Sequence, residues 1–170
     1  MCRLLATSIE VAVNSYAPAA RDCIYTRKAG VAVDRIVIHT MEGTYKGTIS
    51  WFQKPGRPVP TAAHYLFSIH GDVCQMVADE KKCLHANSYN SRSIGFEHEG
   101  HAADTVFPEE MLLASARCAA ALCRKFRIPM DRQHIVGHNE VPDATHTDPG
   151  AHWPWDKYMD MVYKASALGA

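Results

Sequence analysis

The chain has 170 residues, enough for one domain with a substantial core and too few for two. Its 18 basic and 18 acidic side chains cancel, which excludes the electrostatic footprint of a nucleic-acid or anionic-membrane binder. No run approaches the roughly 18 consecutive apolar residues of a membrane span, and ten histidines make metal or proton-transfer chemistry the first class to test.

Residues 1–33 show weak periodicity and read as an irregular N-terminal segment that wraps the domain formed by 34–170. Ser8, Glu10 and Asn14 interrupt the opening apolar stretch, so no signal peptide is expected. "DRIVIHT" places Ile36, Val37 and Ile38 in a row, as in a strand covered on both faces, with His39 at its C-terminal end. "GTYKGTISWFQ" reads as a short helix through Ile49, Trp51 and Phe52, ended by Pro55, Gly56, Pro58 and Pro60. "AAHYLFSIHGDVCQMV" offers two strand-like runs joined around His70, Gly71 and Asp72, a hairpin signal, and "SIGFEHE" offers another short strand.

A helix is expected from Pro108 to Phe126, with Glu109 and Glu110 at its positive end and Arg124, Lys125 and Arg127 near its close. "PWDKYMDMVYKA" supplies a final helix. Strands alternating with helices argue for an α/β fold, one domain with a central mixed β-sheet flanked by helices. The six cysteines (Cys2, Cys23, Cys74, Cys83, Cys118, Cys123) lack CxxC spacing and read as structural thiols, with Cys74 and Cys83 the pair best placed for a bridge.

The loop "GHNEVPDATHTDPG" carries His138, His146 and Asp148 close together. A catalytic zinc takes three His, Asp, Glu or Cys ligands, and His39, His138 and Asp148 would satisfy that. Each has a plainer reading: His39 and His138 as hydrogen-bonded histidines, Asp148 as the opening of a turn before Pro149 and Gly150. Glu97 by itself reads equally as a strand-edge carboxylate.

The blocks "RIVIHT", "AHYLFSIHGDV", "SIGFEHEG" and "GHNEVPDATHTDPG", in this order over roughly residues 34 to 160, resemble the zinc-dependent N-acetylmuramoyl-L-alanine amidases of the type 2 group. That group includes endolysins, autolysins and recycling amidases and is related to peptidoglycan recognition proteins. The resemblance implies that 34–170 is the amidase catalytic domain, that His39, His138 and Asp148 hold one Zn2+, and that no organic cofactor is needed. It makes Glu97 the catalytic carboxylate and His146, where many relatives carry lysine, the group that stabilises the oxyanion. His64 is placed facing the site, or as a buried strand histidine; Tyr65 reads as core. His85, in a segment like the family's "HAG" but lacking the glycine, is placed in the substrate groove. Asn87, Asn90 and Arg92 would bind the stem peptide or cap a turn, and Trp153 and Trp155 would wall the site or pack the last helix. Glu140 is a candidate partner for a ligand imidazole, while His98, His101, His134 and His152 receive no role.

The resulting expectation is a zinc amidase that cuts peptidoglycan or muropeptides between N-acetylmuramic acid and L-alanine. It would be monomeric, made in the cytoplasm and active on the cell wall after release, on the lytic rather than the recycling branch. The alternatives are a peptidoglycan-binding module without catalysis and a cytosolic muropeptide-recycling amidase.

Overall fold

A computed structural model describes residues 13–168; the opening stretch read for a signal peptide and Cys2 lie outside the described residues. A six-stranded mixed sheet is formed by β1 (Ser15–Tyr16), β3 (Arg35–Thr40), β4 (Tyr65–Phe67), β5 (Val73–Gln75), β7 (Ser93–His98) and β8 (Ile135–Gly137). The spatial order is β1-β5-β4-β7-β3-β8. Only β4 and β5 pair antiparallel, through the expected hairpin; the other neighbours are parallel. A separate two-stranded antiparallel ribbon joins β2 (Tyr25–Thr26) to β6 (Lys81–Lys82).

Strand alternation sorts the side chains to two faces. Ile36 and Ile38 of β3, Ile94 and Phe96 of β7, and Tyr65 and Phe67 of β4 face the helices α2 (Glu109–Phe126) and α3 (Trp155–Ala167). Each of these buried apolar side chains contributes about 1.5–3 kcal/mol on leaving water. The opposite face takes the odd positions of β3 and β7, so it receives Val37, His39, Gly95 and Glu97. Leu66 and Cys74, on that face of the hairpin, pack with Phe52 of α1 (Tyr45–Gln53).

The helices begin and end where the sequence supplies the means. The Thr44 side chain accepts from the Gly47 N–H at 3.2 Å and so caps α1. Glu99 fastens that helix end to the hairpin, one carboxylate oxygen accepting from the Tyr45 N–H and the other from the Ile69 N–H. Helix α2 opens on Glu109 and Glu110 and closes with Arg127 in the left-handed region, where the Ile128 N–H returns to the Cys123 carbonyl.

Residues 15–16 and 25–26, read as irregular, form short strands. Two residues are too few to show a period of two, so only pairing with β5 and β6 defines them. Arg27 follows β2 directly, and its guanidinium donates to the carbonyls of Asp79 (3.2 Å), Ser91 (3.0 Å) and Ser93 (2.9 Å). The five cysteines among the described residues are all free and buried. The Cys74–Cys83 bridge does not form: Cys74 packs on Met76 and Cys83 faces His64. Among the described residues, no helix is long and apolar enough to cross a membrane.

Candidate metal centre

The sheet's carboxyl end concentrates the titratable groups, as open α/β sheets commonly do. His39 sits opposite Glu97 in the β3–β7 register. Ile38 sits opposite Gly137 in β8, so the next residue, His138, emerges beside His39, with ring centroids 4.6 Å apart. A loop then returns Asp148 between the two imidazoles. Its Oδ2 lies 2.9 Å from His39 Nδ1 and its Oδ1 lies 3.0 Å from His138 Nδ1. The loop is latched by the Asn139 N–H donating to the Asp148 carbonyl. Gly150 ends it with φ +92°, so close to the Ala102 carbonyl that no Cβ would fit.

The donor set suits a borderline cation. The three residues are buried and their ligating atoms all lie within 4.8 Å of one another. Two imidazole nitrogens and one carboxylate make the His/His/Asp set of a catalytic zinc site with a coordination position left over. Burial holds His39 below the ordinary imidazole value, against the pull of Asp148, so the ring stays neutral and a second proton is a poor occupant of it. Burial alone would raise Asp148, but the hydrogen bond with His138, foremost, and the neighbouring His39 outweigh it and hold the carboxyl well below the usual range. An anion is therefore retained where a cation is wanted.

The three residues open on a cleft of about 190 Å³ that Glu42, His85, Glu97 and His146 also line. Glu97 Oε2 is buried and has no hydrogen-bond partner. Burial, reinforced by the charges of Asp148 and Glu42, pushes the Glu97 carboxyl well above the ordinary value. His146 is exposed and stacks on His138, ring centroids 5.0 Å apart and planes 20° from parallel.

The family model for N-acetylmuramoyl-L-alanine amidase matches residues 29–151. The chain belongs to the N-acetylmuramoyl-L-alanine amidase family. It is 34% identical to N-acetylmuramoyl-L-alanine amidase A of Achromobacter lyticus over 146 residues, 75% of this chain and 81% of that protein. Its fold is similar to that of a selenomethionine derivative of AmpD, with TM-score 0.77, 21% identity, and 94% and 99% of the two chains covered. It is also similar to AmiD from E. coli in complex with anhydro-N-acetylmuramic acid-L-Ala-D-gamma-Glu-L-Lys, with TM-score 0.66, 18% identity, and 82% and 66% covered.

Most of the peripheral residues of this amidase take the structural one of the two roles read for them in the sequence. His64 has no exposed surface and cannot meet substrate: Nδ1 accepts the Gly95 N–H at 3.0 Å and Nε2–H donates to the Lys81 carbonyl at 3.1 Å. Arg92 lies at the start of β7, at the far end of the sheet, where it pairs with Asp34. Asn87 donates to the Asp143 carbonyl and, with Ser88 bonded to the Asp143 carboxylate, ties its turn to the ligand loop. Asn90 caps the same turn, its Oδ1 accepting from the N–H groups of His85 and Ala86 at 2.7 Å each. Glu140 reaches no ligand ring; it accepts from the Gly137 N–H and from Arg132. Trp153 is buried against His98, Phe107 and Tyr158, so it packs the helix layer rather than walling the cleft.

Two histidines turn out to support the site. His98, which the sequence left without a role, lies buried beneath β3: Nδ1–H donates to the His39 carbonyl at 2.9 Å and Nε2 pairs with Ser115, itself bonded to Tyr158. Its position one residue after Glu97, and so on the helix face, was the available signal. His85 stands behind His39, 3.1 Å from its Nε2. A second group of potential ligands, His64, Cys83 and His85, also clusters, but the His64 ring nitrogens are committed and the Arg27 guanidinium sits 3.1 Å from Nε2, a poor setting for another cation.

His64 gives a pH prediction. Burial, then the Arg27 charge, drive it down to about 3, whereas an unfolded imidazole titrates near about 6.5. The unfolded chain thus binds more protons across that interval, and the metal-free protein should lose stability as pH falls from about 6.5, by at most roughly 1.4 kcal/mol per pH unit for one such group. His64→Gln, which keeps an acceptor for Gly95 and a donor for Lys81, should flatten the slope. Urea midpoints of the chelated proteins at pH 7 and pH 5 test this; equal slopes would rule out His64 as a source.

Proposed function

We propose that this amidase hydrolyses the bond between the lactyl group of N-acetylmuramic acid and the first L-alanine of the peptidoglycan stem, with His39, His138 and Asp148 holding one zinc ion. The family supplies the reaction; the residue roles rest on the geometry. A zinc ion in that set supplies Lewis acidity towards the scissile carbonyl and makes water a better nucleophile.

The chain's own groups do the rest. Glu97, opposite His39 in register and facing the same cleft with a free buried oxygen, takes the proton of the attacking water. Its raised pKa then suits it to return that proton to the departing amine of L-alanine, without which the tetrahedral intermediate would revert. His146, lining the cleft beside His138, donates its ring N–H to the oxygen on which charge develops. The observation that carries the assignment is the unpartnered Glu97 carboxylate in one cleft with the His/His/Asp cluster.

Purified protein incubated with intact peptidoglycan should release stem peptides bearing a free N-terminal L-alanine, detected by mass spectrometry. Release should stop with a chelator and return with zinc. Unchanged release after complete metal removal would overturn the metal role. Cleavage of soluble anhydro-muropeptides alone, with intact wall untouched, would replace the wall-lytic assignment with a recycling one.

A further inference from the structure

We propose that His85 and Ser93 form a proton-ordering relay that fixes the His39 ring with its hydrogen on Nε2, so that the Nδ1 lone pair is delivered to the metal. The inference rests on the reading of His39 as a zinc ligand and adds to it a positioning device two side chains deep.

The direction of the relay follows from its last member. The Tyr89 carbonyl can only accept, so the Ser93 O–H, 2.7 Å away, is committed to it. Ser93 Oγ must then accept from His85, whose Nε2 lies at 3.1 Å. A neutral His85 with its hydrogen on Nε2 has a lone pair on Nδ1, and that atom lies 3.1 Å from His39 Nε2. His39 therefore donates from Nε2, and its Nδ1 lone pair points at Asp148 Oδ2, 2.9 Å away. Two acceptors at that separation repel unless a cation lies between them, and a metal ion is the occupant the family chemistry supplies.

The surroundings are built to keep this order. Asn90 clamps the backbone at His85 and Ala86, and Ser93 is fully buried in β7. Gly95 makes room for the imidazole: a Cβ there would lie 2.6 Å from His85 Nδ1. Carboxylates more often orient metal-bound histidines, but a carboxylate in place of His85 would add a second negative charge beside Asp148. A neutral imidazole orders the proton without altering the charge of the site.

The test uses metal-free and zinc-loaded protein and needs no substrate. Competition with a chromophoric chelator should show zinc binding weakened about 10–100-fold in His85→Ala. His85→Asn, whose side-chain oxygen can accept from His39 Nε2–H, should recover most of the loss. Nitrogen-15 NMR of the metal-free wild type at pH 8 should show neutral His39 protonated on Nε2, and Ser93→Ala should convert it to a tautomer mixture. Wild-type zinc affinity in His85→Ala, or His39 protonated on Nδ1 in the wild type, overturns the relay. A wild type that binds zinc no better than Asp148→Asn overturns the metal centre itself, and the tautomer measurement still decides the relay.

Discussion

Glu97→Gln is expected to lower kcat by about 10²–10⁴-fold, the range for losing one positioned acid–base group, while zinc content and KM stay near wild type. Gln keeps the shape and the polarity but cannot accept a proton from water. The loss corresponds to roughly 2.7–5.4 kcal/mol of transition-state stabilisation. The same substitution should not destabilise the fold, because the native carboxylate is buried with one oxygen unpartnered and close to the charges of Asp148 and Glu42. A variant that is as stable as the wild type, or more so, and nearly inactive would show strain held for function. Activity within about tenfold of wild type would remove Glu97 from the role of base, since that is below what general-base catalysis contributes.

Why Glu97 was legible only with the motif around it is a matter of register. The run Ile36–Val37–Ile38 announces β3 because both faces of that strand are covered, and the amphipathic stretch 109–126 announces α2 because one face is not. Neither says that His39 will stand opposite Glu97, 58 positions further along the chain; parallel pairing of β3 with β7 decides that. The family pattern singles out His39, Glu97, His138, His146 and Asp148, which line one cleft where strand ends and a tight loop hold them. It carried the flanking ones less well, because sequence proximity to a motif does not set side-chain direction. Arg92 precedes β7 and so belongs to the opposite end of the sheet from Glu97. His64 precedes β4 by one residue and turns inward, where its ring accepts the Gly95 N–H. His85 does line the cleft, yet its nitrogens are occupied by His39 and Ser93, a hydrogen-bond order that no spacing rule contains.

Asp148→Asn should abolish zinc retention through dialysis and lower activity by about 10³-fold or more, the scale set by several kcal/mol of metal-derived transition-state stabilisation. Asp148 brings the negative charge to a set whose other two members are neutral when they bind a metal, and both of its oxygens face imidazole nitrogens. An amide supplies one weaker, uncharged oxygen and turns an N–H towards the other histidine, where it takes up the ring lone pair that a metal needs. The metal-free protein should suffer as well. A carboxyl held well below its unfolded value stabilises the fold at pH above that value, and the contribution disappears as pH falls through the folded pKa. The substitution removes it at every pH, so the chelated variant should unfold at lower urea than chelated wild type at pH 7, with the gap closing in strong acid. Zinc content after dialysis, measured beside those urea midpoints, separates the two effects. Full zinc retention in Asp148→Asn would show that the ion is held elsewhere, whereas lost zinc with an unchanged midpoint would confine Asp148 to the metal and deny it a part in holding His39 and His138 together.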